Sequence, residues 1–287
     1  MKRSLLYVIV FIAVQVMITL AVSLVLKQWF PAVDSESGIA LTVTTIIINV
    51  LVIILFLGFR WYKVSRDYIR MRPWIAMIWT ALLAIGIIIP LAFIEQMIPE
   101  AWRQDNVGEV LVQMLQTTEG YFAVCMLGPL AEEIVFRGAI ITALQSYMLD
   151  KDNFNLQSSI FNLQKWRMWV PILVSACFFS AIHFNPAQMP HAFLMGLLLG
   201  WLFSRTGSIV LCFLVHWINN SAAYVTLKLF PNVPLDADLS AYFGGSETAV
   251  VQAVVCSLMV ALPALYQLHR LLDNPQDAEA KQEHKIN

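Results

Sequence analysis

Long apolar runs separated by short polar loops make up most of this chain. A run of about 20 apolar residues spans a bilayer as a helix. Short segments of alternating polarity, the mark of a membrane β-barrel, are not the pattern here. The runs predict eight spans, at 5–26, 39–59, 74–97, 121–148, 169–184, 189–205, 208–228 and 248–270. The fifth and sixth are short and are expected to be tilted, broken or partly re-entrant. The expected fold class is all-α, a polytopic membrane helix bundle forming one domain over residues 1–287. A core at about 120–228 carries the polar groups, and a short polar tail at 273–287 is expected to be disordered.

Composition supports the membrane reading. Of the 287 residues 59% are hydrophobic and only 13% charged, where a soluble domain is about a quarter charged. The mean hydropathy is +0.69. A net charge of −1 gives no basic field for nucleic acid, so the bilayer is the expected partner and no nucleic acid is. Cys125, Cys177, Cys212 and Cys256 all lie in apolar runs without C-x-x-C spacing, and read as buried reduced thiols. The opening "MKRS" and the run Leu5–Leu26 imitate a signal peptide. That run exceeds the 7–15 residues of a signal core and has no small-residue cleavage site near Lys27, so it is expected to be a retained first span.

Loop charge predicts orientation. The loop 60–73 holds Arg60, Lys63, Arg66, Arg70 and Arg72 against Asp67 and is expected to be cytoplasmic. Counting spans then puts Lys2, Arg3, Lys151, Lys165, Arg167, Arg205 and both termini on that same side. The acidic loops 31–38 and 231–247 fall outside. The expectation is a multi-pass protein of the cell membrane, of bacterial inner-membrane type. Gly196 and Gly200 form a G-x-x-x-G pair that predicts close helix packing. Pro90, Pro171 and Pro263 mark kinks or helix starts.

The first three spans carry almost no polar groups at membrane depth, whereas "PLAEEIVFRGAI" at 129–140 places Glu132, Glu133 and Arg137 there. Each such charge costs at least ~2.5–3.5 kcal/mol unless it faces protein or water. Gly128-Pro129 is a breaker pair. Either the helix restarts at Pro129, putting the glutamates near a positive helix end, or it continues with a loosened backbone. Glu133 and Arg137 are four apart and share a face. Glu132 points about 100° away and is left free to face a cavity. "FFSAIHFNP" then places His183 near the outer end of the fifth span, four residues after Phe179. "LVHWINNSAAY" places His216 inside the seventh span, with Asn220 on the same face and Asn219 close to it.

Each group alone has a structural account: a tying ion pair, an interfacial histidine, hydrogen-bonding glue between helices. Together they are the parts for hydrolysing a peptide bond without a covalent intermediate. A carboxylate and a histidine can activate water. A second histidine and an amide can donate to an oxyanion.

In order, "EEIVFR", "FSAIH" and "HWINN" resemble the motifs of the C-a-a-X prenyl proteases and bacteriocin-processing or self-immunity proteins, the CPBP intramembrane glutamic endopeptidases. The stretch "LMGLLLGWLFSRTGSI" is similar to that family's link between its second and third motifs, and the resemblance covers about 120–225. It implies Glu132 as general base, His183 as a residue sharing or orienting the water, and His216 with Asn220 as the oxyanion site. It implies Glu133 and Arg137 as supports and Phe179 as a wall of the pocket. It also implies no metal, no cofactor, and a membrane-associated peptide or protein as substrate. His191, outside the motifs, reads as an interfacial histidine in preference to a residue at the mouth of the cavity.

Three other readings stay open. Glutamate and two histidines could hold zinc, although no H-E-x-x-H occurs. The polar cavity could serve binding alone, as in an immunity or scaffold protein. A transporter would use a polar midplane site, but no inverted repeat is visible. Charge counting runs the fourth span from outside to inside, which sets Glu132 and His183 toward the outer half.

Overall fold

A computed structural model describes residues 2–64, 67–70, 73–99, 102, 106–149, 163–235 and 237–273. Among these residues it holds helices and connecting turns and no strand, the polytopic helix bundle that the apolar runs predict. The helices are α1 (Lys2–Trp29), α2 (Gly38–Gly58), the single turn α3 (Asp67–Arg70), α4 (Trp74–Gln96), α5 (Asn106–Leu115), α6 (118–149), α7 (Leu163–Ala181), α8 (Met189–Thr206), α9 (Val210–Leu229), the turn α10 (Leu239–Tyr242) and α11 (Glu247–Leu272).

Five of these, α1, α2, α4, α9 and α11, are long and apolar enough to cross a membrane by length and composition. The other three expected segments, 121–148, 169–184 and 189–205, are helical as α6, α7 and α8 but are not among those five. The apolar part of α7 covers only Met168–Ala181. Helix α5 was not expected; its Met114 and Leu115 are buried while Glu109 and Gln113 stay outside. Of the tail expected at 273–287, only Asp273 lies within the described residues.

Local chemistry sets several helix ends. The Ser37 and Ser246 side chains accept from Ala40 and Ala249 N–H at the starts of α2 and α11. Thr117 does the same for Gly120 at the start of α6, at 3.0 Å. Such caps satisfy one of the four orphan donors of a helix start. Gly207 ends α8 in the left-handed region at φ 65°. Pro90, Pro171 and Pro263 all lie inside helices.

Helix α6 sits at the centre of the bundle, and every residue from Glu133 to Ile141 on it is buried. Phe136 meets Phe11 of α1 edge-on at 5.6 Å between ring centres, and Phe179 of α7 at 5.3 Å. The G-x-x-x-G pair seats α8 on α7. A Cβ at Gly196 would come within 2.9 Å of Ala176 Cα, and one at Gly200 within 2.9 Å of an Ile172 methyl.

The cysteines depart from expectation. Cys125 and Cys212 are buried, but Cys177 and Cys256 are exposed on helix surfaces, and all four are free thiols. The outward face of a spanning helix is itself an apolar position, so an apolar run does not distinguish it from the core.

Candidate active site

The breaker pair does not break α6. Leu127, Gly128, Glu132 and Glu133 all keep helical dihedrals, so the helix continues through Pro129 and its backbone loosens instead. Phe122–Leu127 and Glu133–Ile141 are π-helical, on either side of a short α stretch at Gly128–Glu132. Proline at 129 removes one N–H from the ladder, which favours the wider spacing nearby. Long π segments are rare and gather at functional sites. The glutamates therefore stand mid-helix and not at a helix start.

The two glutamates separate as their spacing predicts. Glu133 is 0% exposed and accepts from Arg137 Nη1 at 3.1 Å. His216, on α9, brings Nδ1 to the same Glu133 oxygen at 2.9 Å. The carboxylate oxygen accepts, so Nδ1 carries the proton. The other nitrogen, Nε2, stands 3.7 Å from Glu132, whose side chain keeps 23% of its exposure. That separation exceeds a hydrogen bond. Glu132 is thus the half-open carboxylate and Glu133 the closed one.

Phe179 organises the rings around them. Its face lies 4.3 Å below the Arg137 guanidinium, a cation–π contact. His183 and His216 both approach Phe179 edge-on, at 5.1 and 5.7 Å between ring centres. His183 also donates from Nδ1 to the Phe179 carbonyl at 2.7 Å, which leaves Nε2 of the neutral ring as an acceptor.

Asn220 ties α9 to the π segment of α6. Its amide donates to the Val124 carbonyl at 3.2 Å, while Cys125 Sγ donates to the Asn220 carbonyl at 3.4 Å. Asn219 donates to Asn220 Oδ1 at 3.5 Å, at the limit of a hydrogen bond. Beside them, Trp217 Nε1 donates to the Tyr121 hydroxyl at 3.0 Å, and that hydroxyl pairs with Ser221 at 3.1 Å.

The structure thus brings Glu132, Glu133, Arg137, Phe179, His216 and Asn220 to three neighbouring helices, α6, α7 and α9, with His183 in the turn just past α7. His191 is not a bare interfacial histidine. It pairs through Nδ1 with Glu95 of α4 at 3.2 Å. Two supports were not foreseen. Asn49, buried at membrane depth in α2, faces Gly128, whose Cβ position lies 3.8 Å from its amide nitrogen. It is a lone amide in an apolar run, and that was its signal. Tyr62, in the loop after α2, is buried with its ring against Gly138, where an added Cβ would fall 2.5 Å from the ring. Burial raises its hydroxyl above the ordinary tyrosine range. Nothing in a basic loop marks one tyrosine as a wedge. Among the described residues no three His, Cys, Asp or Glu side chains are grouped to hold a metal ion.

Searches of curated proteins and of solved structures returned no match. Residues 115–222 match the family described as type II CAAX prenyl endopeptidase, Rce1-like. That stretch runs from the end of α5 through the residues of α6, α7, α8 and α9 just described, and over it the chain is similar to that family of membrane endopeptidases.

Proposed function

We propose that this chain is a metal-independent intramembrane endopeptidase in which Glu132 activates the attacking water. The observation that carries the reading is the unequal state of the paired glutamates. Glu133 is closed off by Arg137 and His216, whereas Glu132 keeps an open side beside His216. A base must reach its water, and the open side of Glu132 supports its assignment as that base.

In the proposed reaction the Glu132 carboxylate takes one proton from water as the water oxygen bonds to the scissile carbonyl carbon. The same proton passes to the leaving nitrogen when the C–N bond breaks. His183 accepts from the water through Nε2, because its Nδ1 is committed to the Phe179 carbonyl. Asn220 has two amide protons and spends one on Val124, so the second serves the oxyanion. His216 joins it as a donor when protonated on both nitrogens.

The substrate is a membrane-associated peptide or protein. The test uses purified protein in liposomes and internally quenched peptides with and without a prenylated C-terminal cysteine motif. Cleavage should persist in a zinc chelator and fall at least about 100-fold in Glu132→Gln. Undiminished cleavage by Glu132→Gln rejects the base, and loss of cleavage in chelator rejects metal independence.

A further inference from the structure

We propose that a cavity at the basic end of the bundle seats the phosphate of an anionic phospholipid from the adjacent leaflet. The cavity holds about 640 Å³ and is formed by the start of α1, the loop after α2, the end of α6 and the end of α8. Arg3, Arg60 and Lys63 line it together with the polar side chains of Gln145, Ser146 and Ser204, and no acidic residue does. Among the described residues none of the three cations has an acidic partner. Three unpaired cations with amide and hydroxyl donors are the chemistry of a phosphoryl group. Gln145 donates to Ser204 Oγ at 3.2 Å, so Ser204 keeps its own proton to donate.

Backbone conformation singles out the same place. Arg60 has φ 55°, just past the Phe59 cap of α2. Helices usually end with glycine at such a position. A side chain there carries strain, and strained residues gather at ligand clamps. The strained residue is one of those that line the cavity.

The occupant must also be amphiphilic. Trp61 lines the cavity and stacks on Phe59, 5.4 Å between ring centres, and the Phe59 ring is 64% exposed. Leu5 and Leu6, just beyond Arg3 on α1, are exposed as well. Aromatic rings of this kind mark the level of the headgroups, and apolar side chains beside them meet acyl chains. Basic pockets between membrane helices on the side rich in Lys and Arg take phosphate-bearing headgroups. This reading is independent of the proteolytic one, because none of these residues belongs to the Glu132 site.

The experiment is a titration of the purified full-length protein with dioctanoyl-phosphatidylglycerol, followed by native mass spectrometry and by thermal shift. Dioctanoyl-phosphatidylcholine, glycerol phosphate and inorganic phosphate are the other arms. Phosphatidylglycerol should bind most tightly. Arg3→Gln, Arg60→Gln and Lys63→Gln should each weaken it roughly five-fold, and the triple variant on the order of 100-fold. Arg60→Gly relieves the strained φ, so it should fold at least as stably as the parent while binding the lipid more weakly. Arg60→Lys should retain most of the binding. Equal affinity for phosphatidylcholine, or unchanged binding in the triple variant or Arg60→Gly, overturns the proposal. Equal protection by inorganic phosphate or glycerol phosphate also overturns it, in favour of a soluble phosphate ligand.

Discussion

His216 Nδ1 lies 2.9 Å from Glu133 Oε1, across from Arg137 on the same oxygen. One carboxylate oxygen thus holds two donors from two helices, α9 and α6. Locking the imidazole in this way decides which nitrogen is left for chemistry. It also assigns different fates to variants of the two adjacent glutamates.

Glu133→Gln should be the destabilising change. It leaves the Arg137 guanidinium buried without its counter-charge, a loss of about 3–5 kcal/mol by analogy with broken buried pairs. Thermal unfolding of the purified protein reads this directly. An unfolding midpoint equal to that of the parent would show that the pair contributes little.

Glu132→Gln should behave in the opposite way. The half-open side chain is nearly isosteric with glutamine, so the midpoint should barely move. Peptide cleavage should fall by about 10²–10⁴-fold, the usual contribution of a general base. A variant as active as the parent removes Glu132 from the reaction.

Asn220 joins α9 to α6 through the Val124 carbonyl. Asn220→Asp replaces a donor by an acceptor facing that carbonyl and should cost more than Asn220→Ala. The alanine variant should lose about 0.6–2 kcal/mol, typical of a hydrogen bond between membrane helices. A chemical-denaturation series on both variants gives the order, and equal stability would contradict the donor role.

Gly138→Ala should be destabilising by about 1–3 kcal/mol, because the new methyl meets the Tyr62 ring. Adding Tyr62→Ala should recover part of the loss, as expected for two sites in contact. A double-mutant cycle in thermal unfolding measures it; strictly additive effects would mean that the ring moves aside at no cost.

Much of this site was legible in the chain because each feature had a local signature. The i, i+4 spacing foretold the Glu133–Arg137 pair, and the neighbouring position foretold that Glu132 would be left open. The glycine pair at 196 and 200 foretold the α7–α8 contact. Other features depend on contacts distant in sequence. Whether Gly128-Pro129 restarts or loosens a helix turns on what surrounds it, and Asn49 of α2 is among those neighbours. Tyr62 reaches Gly138 across 76 positions of chain, and the Glu95–His191 pair spans 96. No periodicity encodes such meetings. The outward-facing Cys177 and Cys256 were missed for a simpler reason: lipid and protein interior ask for the same apolar residues.

The wide turns of α6 make residue count a structural variable. A π segment holds more residues per turn than the α ladder does, and two of them frame Glu132. Deleting one residue between 122 and 127 would let that stretch relax to α spacing with little turn of what lies beyond it, because the wide turns had already absorbed the additional residue. The α stretch at Gly128–Glu132 has no such slack: losing a residue there would swing one side against the other by about 100°, the angle of one residue in an α-helix, and part Glu133 from its imidazole proton. A one-residue deletion scan should therefore be tolerated within 122–127 and fail within 128–132.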